Sequence, residues 1–192
     1  MVSVVEPTGE VWLVRHGETE WSRDGKHTSH TELDLTESGV EVACSLAPRL
    51  AEHSFDLVLS SPRRRAVRTA ELAGFTDPQL DEDLTEWDYG DYEGITTKEI
   101  QETVPGWSVW THPCPNGEDA QDVTTRLDRV VAQAHACSGD VLVFAHGHSL
   151  RGLAARWIEQ PVTEGRFFKL DTATVSVLGY ERDVPVILRW NS

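Results

Sequence analysis

Cysteine is scarce in this 192-residue chain: Cys44, Cys114 and Cys137 are odd in number and stand in no CxxC spacing. Neither a disulfide framework nor a thiolate zinc site is suggested, and the usage fits a reducing compartment. Basic residues are few, 17 Lys plus Arg against 32 Asp plus Glu, for a net charge of -15. Such a chain is repelled by nucleic acid and by anionic lipid unless its cations are gathered in one patch, so neither partner is expected. No run of about 18 apolar residues occurs. Met1 to Glu10 has no basic n-region and no long apolar stretch, and a cytoplasmic location is expected. Internal repeats, low-complexity segments and linkers are also missing. What is present is 39% hydrophobic residues in a length that suits one domain over 1–192. That is enough to bury a core without staples, and disorder is disfavoured.

Short apolar runs alternate with longer helical segments, which predicts an α/β domain around a largely parallel sheet. Val11–Val14 reads as the first strand. Thr36 caps a helix to about His53, with Leu35 as a staple and Pro48 as a kink or early end. Phe55–Ser60 is the second strand. Ser61 as cap and Pro62 as first residue start the next helix, and Gly74 stops it. Seven acidic residues and no basic one occupy 81–93, and this middle region reads as loops and short helices. Val123, Leu127, Val130, Val131 and Ala134 stand at 3–4 spacing, predicting a helix from Glu118 to about Cys137 ended by Gly139. Asp140–Ala145 is a buried strand that leads into a helix through Trp157 and Ile158. Thr172–Tyr180 and Val184–Trp190 close the chain as strands.

Three motifs each follow a strand, where open α/β sheets place ligand sites. The first is Arg15-His16-Gly17-Glu18-Thr19. A capping histidine beside a paired arginine would be its ordinary meaning if it stood alone. The second, Ser60-Ser61-Pro62-Arg63-Arg64-Arg65-Ala66-Val67-Arg68, gathers four arginines in six positions. They could form a solvated helix face, but arginine, helix dipole and free N–H groups together favour one phosphate. The third is Ala145-His146-Gly147-His148-Ser149-Leu150-Arg151. Its Gly-His-Ser-Leu invites comparison with a serine nucleophile elbow, yet Arg151 stands where the elbow needs glycine and no histidine follows Ser149. A zinc site could combine His27, His30, His146 and His148, but no HExxH or supporting carboxylate spacing accompanies them, and no metal is expected.

The three motifs in this order resemble the histidine phosphatase superfamily, the phosphoglycerate mutase-like proteins, from about Val11 to Tyr180. The resemblance implies a three-layer fold, a mostly parallel central sheet with helices on both faces, and chemistry that needs no cofactor. It implies that His16 attacks phosphorus and becomes phosphohistidine, with a backbone carbonyl holding its other N–H. Arg15, Arg65 and His146 would bind the phosphoryl oxygens, with the histidine as an imidazolium, while Arg63, Arg64 and Arg68 have no implied role. Charge on three equatorial oxygens is what such donors stabilise. Glu86 in Leu84-Thr85-Glu86-Trp87-Asp88-Tyr89-Gly90 matches the acid that protonates the leaving oxygen. Its acidic neighbours would raise its pKa, and an acid-side activity optimum is expected. Ser22 stands where relatives carry a phosphate-binding Asn, and Thr28 lies on the recognition loop. Tyr89 and Gly147 are further substrate-binding candidates.

The mutase pattern carries an adjacent arginine pair after the acid motif. Between Thr97 and Ala120 this chain has no arginine and only Lys98. It reads Asn116-Gly117-Glu118 instead, similar to phosphatase branches that include sedoheptulose 1,7-bisphosphatase and broad acid phosphatases. A small phosphorylated metabolite, a sugar phosphate or bisphosphate, is the expected partner. The resemblance leaves a homodimer open. Tyr89, Trp107, Trp110 and His112 are candidates for a substrate wall or lid, with core packing the competing reading for each tryptophan. A cofactor-dependent mutase and a non-catalytic phosphate-binding module on the same fold are the alternatives.

Overall fold

The computed structural model describes residues 9–192; Met1 to Thr8, most of the N-terminal stretch read above, lie outside the described residues. The elements run β1 (Val11–Arg15), α1 (Glu20–Asp24), α2 (Glu37–Leu50), β2 (Leu57–Ser60), α3 (Arg64–Leu72) and β3 (Gln79–Leu80). They continue with α4 (Thr97–Thr103), α5 (Ala120–Ala136), β4 (Val141–Ala145), α6 (Gly147–Trp157), β5 (Val175–Glu181) and β6 (Val184–Arg189). The strands form one sheet in the order β3-β2-β4-β1-β5-β6. β3-β2, β2-β4 and β4-β1 pair in parallel, while β5 and β6 add an antiparallel edge.

Alternation along the central strands divides the core in two. Trp12 and Val14 of β1, with Leu142 and Phe144 of β4, pack against Leu46 and Leu50 of α2 and Ala70 of α3. Val11, Leu13, Val141 and Val143 face the other way, onto Leu127 and Val130 of α5 and Leu153 of α6. Both sheet faces are therefore covered, as continuous apolar strands require. The chain leaves β1 toward one face and β4 toward the other. Because β1 and β4 are neighbours, their carboxyl ends open a crevice at a topological switch point. Register puts Arg15 opposite Ala145, and His16 N–H continues the ladder to Ala145 O at 3.0 Å. The two motif histidines thus begin at the same height.

Several boundaries differ from the sequence reading. Thr36 caps α2 through its side chain onto Gly39 N–H, and Pro48 sits inside the last turn without ending the helix, because Ala51 N–H still reaches Ala47 O at 2.9 Å. α3 begins at Arg64 and not at Pro62, with Arg63 at the cap position and no side-chain cap. The Ser61 hydroxyl, 2.8 Å from His146 Nε2, still accepts from Arg63 N–H at 3.3 Å, so the expected cap contact forms just ahead of the regular helix. α5 starts after Asp119, whose carboxylate caps it in a capping box. Glu118 is thereby left outside the helix, free to pair with Arg126. No helix among the described residues is long and apolar enough to cross a membrane.

Candidate active site

A cavity of about 220 Å³ opens at the switch point. Arg15 and His16 enter it from β1, Glu86 and Tyr89 from the middle region, and Gly147 from the start of α6. Ser22 and Thr28 line it as well. Arg65 and His146 form the buried layer directly behind, the two imidazoles of His16 and His146 meeting edge to face at 5.2 Å between centroids.

His16 is 5% exposed, and its Nδ1 lies 2.7 Å from Gly17 O. A carbonyl only accepts, so Nδ1 carries the proton and Nε2 keeps its lone pair. Burial, then the charges of Arg65 and Arg15, hold the imidazole well below its ordinary pKa. The ring is neutral and its free nitrogen is basic. Arg15 donates from Nη1 to Leu170 O at 2.6 Å, while its buried Nε has no hydrogen-bond partner. A partly buried guanidinium with an unused buried donor beside a neutral nucleophile is suited to an anion.

Arg65 is held by the recognition loop. It donates to the carbonyls of Thr28, Ser29 and Thr31 at 3.1, 3.2 and 3.1 Å, and from Nε to His146 Nδ1 at 3.2 Å. One of its five N–H groups is left over. His146 therefore carries its proton on Nε2, which donates to Ser61 Oγ at 2.8 Å. Burial, Arg65 and His16 keep it well below the ordinary value. His146 is accordingly neutral, in contrast to the imidazolium expected from sequence, because an arginine already occupies its Nδ1.

The Glu86 carboxylate crosses to the amino end of α6. Oε1 accepts from Ser149 N–H at 2.8 Å and Trp87 N–H at 2.9 Å, and Oε2 accepts from His148 N–H at 3.0 Å. The acidic residues near it in sequence have partners of their own. Asp88 pairs with His30, Asp83 with Arg129, and Glu93 accepts from Ser29 and Thr31. Ser149, read as a possible nucleophile, is buried and spends its N–H on Glu86.

Ser22 and Thr28 reach the cavity with their hydroxyls already engaged. Ser22 Oγ closes the capping box of α1 with Thr19, and Thr28 Oγ donates to Lys26 O at 3.3 Å. Tyr89 Oη and His148 Nδ1 share a hydrogen bond of 2.6 Å, burial holding that imidazole well below its usual value. Trp107 and Trp110 are 1% and 7% exposed and belong to the core. The lid reading thus fails for them, and His112 lies off the cavity beside Thr111. Trp110 still backs the wall, with the Arg151 guanidinium 4.7 Å over its ring.

Lys26, His27, Arg151 and Leu170 also line the cavity without having been read as substrate contacts. Arg151 was legible in principle, since it falls one helical turn after Gly147. Leu170 carries no signal: it arrives on the loop before β5, and only its carbonyl bond to Arg15 ties it to the site.

A family model described as the histidine phosphatase superfamily (branch 1) matches residues 11–192. An acid phosphatase of Mycobacterium tuberculosis is 46% identical over 176 residues, covering 90% of this chain and 87% of that protein. Sedoheptulose 1,7-bisphosphatase of Saccharomyces cerevisiae is 36% identical over 178 residues, covering 76% of this chain and 66% of the yeast protein. Among solved structures, the product of a functionally characterised open reading frame of M. tuberculosis superposes with a TM-score of 0.92 at 43% identity, covering 95% of this chain and 97% of that one.

Proposed function

The chain belongs to the histidine phosphatase superfamily (branch 1) and is a phosphoric monoester hydrolase, and from that premise we propose that it dephosphorylates small phosphorylated metabolites, sugar phosphates or bisphosphates, through a phosphohistidine on His16. The observation that carries the mechanism is the His16–Gly17 bond, which leaves a basic Nε2 in a buried pocket beside the unpartnered Nε of Arg15. His16 Nε2 attacks phosphorus as the ester P–O bond breaks, and the leaving oxygen takes a proton from Glu86. Water then attacks the phosphohistidine, the Glu86 carboxylate takes the proton of that water, and phosphate departs from a regenerated imidazole.

Arg15 binds a phosphoryl oxygen with its free donor, and Arg65 contributes its charge and its remaining N–H. His146 orients Arg65 and adds the edge of a neutral ring. Gly147 lets the substrate approach, as Arg15 packs 3.3 Å from where a Cβ would stand. Tyr89, Ser22 and Thr28 shape the wall. No resident metal is needed in this reading, because guanidinium groups supply the stabilisation of equatorial charge. The described residues from Val11 onward act as one catalytic domain.

Hydrolysis is preferred over mutase chemistry because Lys98, exposed on α4, is the only lysine or arginine between Thr97 and Ala120. The test is phosphate release in EDTA from sedoheptulose 1,7-bisphosphate, fructose 1,6-bisphosphate, 3-phosphoglycerate and p-nitrophenyl phosphate, with acid-quench trapping of phosphoprotein. His16→Ala is expected to abolish both release and trapping. Arg15→Ala should cost about 3 kcal/mol in kcat/KM, the usual loss for one transition-state donor. Activity that survives His16→Ala would overturn the proposal.

A further inference from the structure

Glu86 is anchored from two sides, and only one of them is the amino end of α6. The other is a partly buried ion pair. Arg126, on the inner face of α5 and 7% exposed, donates from Nε and Nη2 to the two oxygens of Glu118 at 2.7 and 2.9 Å. Its Nη1 donates to Asp83 O and Thr85 O, both at 2.8 Å. Glu118 Oε2 also accepts from Asp88 N–H at 2.9 Å. The Glu118 backbone completes the join, its N–H reaching Asp88 O at 3.0 Å and its carbonyl accepting from Trp87 Nε1 at 3.0 Å. Residues on both sides of Glu86 are thus fixed to one Arg–Glu pair. The backbones meet closely enough that a Cβ on Gly117 would stand 2.3 Å from Asp88 O.

We propose that Arg126 and Glu118 are positioning residues that set the Glu86 carboxyl for proton delivery, a role that rests on the reading of Glu86 as the acid of the proposed reaction. The chemistry favours this over a purely structural pairing. A core of this size needs no partly buried charge pair, and such a pair is weak evidence for stability. Four directed N–H bonds, two of them to the carbonyls at 83 and 85, instead fix a backbone whose side chain must be placed within a fraction of an ångström. Neither residue lines the cavity, so each acts through Glu86 and not on substrate.

A positioned acid matters most when the leaving oxygen is strongly basic. The experiment compares kcat/KM on an alkyl ester, glycerol 3-phosphate, with kcat/KM on p-nitrophenyl phosphate, whose leaving group departs without help. Glu86→Gln is the reference and is expected to lose about 10²-fold or more on the alkyl ester and far less on the aryl ester. Arg126→Met is expected to lose on the order of 10-fold to 100-fold on the alkyl ester with little change on the aryl one. Glu118→Gln should shift in the same direction, and neither change should add to the alkyl-to-aryl loss in the Glu86→Gln background. Glu118→Gln keeps an acceptor for Asp88 N–H, and it carries the test if Arg126→Met loses its native circular dichroism. Equal losses on both esters, or multiplicative losses with Glu86→Gln, would overturn the positioning role. If Glu86→Gln itself fails to discriminate, Glu86 is not the acid and the proposal falls with it. If Glu86→Gln discriminates and the other two variants do not, only the positioning role falls.

Discussion

A single hydroxyl on α3 governs the geometry of the nucleophile. Thr69 Oγ donates to Arg65 O at 2.7 Å and accepts from Gly17 N–H at 2.9 Å, while Gly17 O receives His16 Nδ1. Gly17 is therefore held through its N–H by α3 and in turn holds the imidazole. Thr69→Val keeps the shape of the side chain and removes the acceptor, leaving a buried N–H without a partner. That loss costs about 1–3 kcal/mol. Urea unfolding of Thr69→Val should show a decrease of this size, and kcat should fall more than KM rises, because substrate contacts are untouched while the His16 nitrogen is released from its alignment. An unchanged kcat would mean that the Gly17 carbonyl alone orients the ring.

At the level of elements, the site depends on how tightly the first turn of α2 approaches the loop after β1. Gly39 sits where a Cβ would fall 2.3 Å from Glu18 O and 2.8 Å from Glu18 N, and Thr36 N–H reaches Glu18 O at 2.8 Å. Gly39→Ala would gain at most about 1 kcal/mol of helix propensity. The clash is with backbone that cannot rotate away, so overpacking of roughly 1–3 kcal/mol outweighs the gain. A lowered denaturation midpoint with a raised KM is the expected result, and a more stable variant would show that the loop can yield. The sequence made much of this level legible, and the failures have particular causes. Thr36 and the α5 stripe were readable because caps and 3.6-residue periodicity are local. The start of α3 lies later than the cap suggests although Ser61 receives the Arg63 N–H: its hydroxyl is shared with His146 from 85 residues away, and the regular helix begins only at Arg64. The two-residue β3 is too short to show a period. Glu86 could be named from its motif, yet its bonds to Ser149 and His148 and the Arg126–Glu118 pair behind it are long-range contacts that no local pattern encodes.

Over the whole molecule, the site places neutral histidines where acid would charge them. His16 and His146 are held well below the ordinary imidazole value, and His27, buried beside Tyr89 and Trp107, is lowered from 6.5 to about 4. Burial is the leading cause for each, and Glu93 only partly opposes it at His27. The unfolded chain takes up these protons near pH 6.5 and the folded chain does not. Stability is thus fully present above about pH 6.5 and falls as pH drops toward the folded values. For His27 alone the loss at pH 5 is about 2 kcal/mol, approaching roughly 3 kcal/mol at pH 4, where it levels off. Carboxylates held low, such as Glu93, add their own losses as pH falls below about 4.5 toward their folded values. The nucleophile meanwhile stays unprotonated in mild acid, so kcat/KM should persist on the acidic side while the fold weakens, and thermal inactivation sets the lower limit of useful pH. Melting temperatures measured from pH 7 to pH 5 should decline steadily. In His27→Gln, which cannot take up the proton in either state, the slope should be shallower by about one proton, or roughly 1.4 kcal/mol per pH unit once the unfolded histidine is fully charged. An unchanged slope would mean that His27 is protonated in the folded protein at these pH values and that burial in the cavity wall does not exclude its charge.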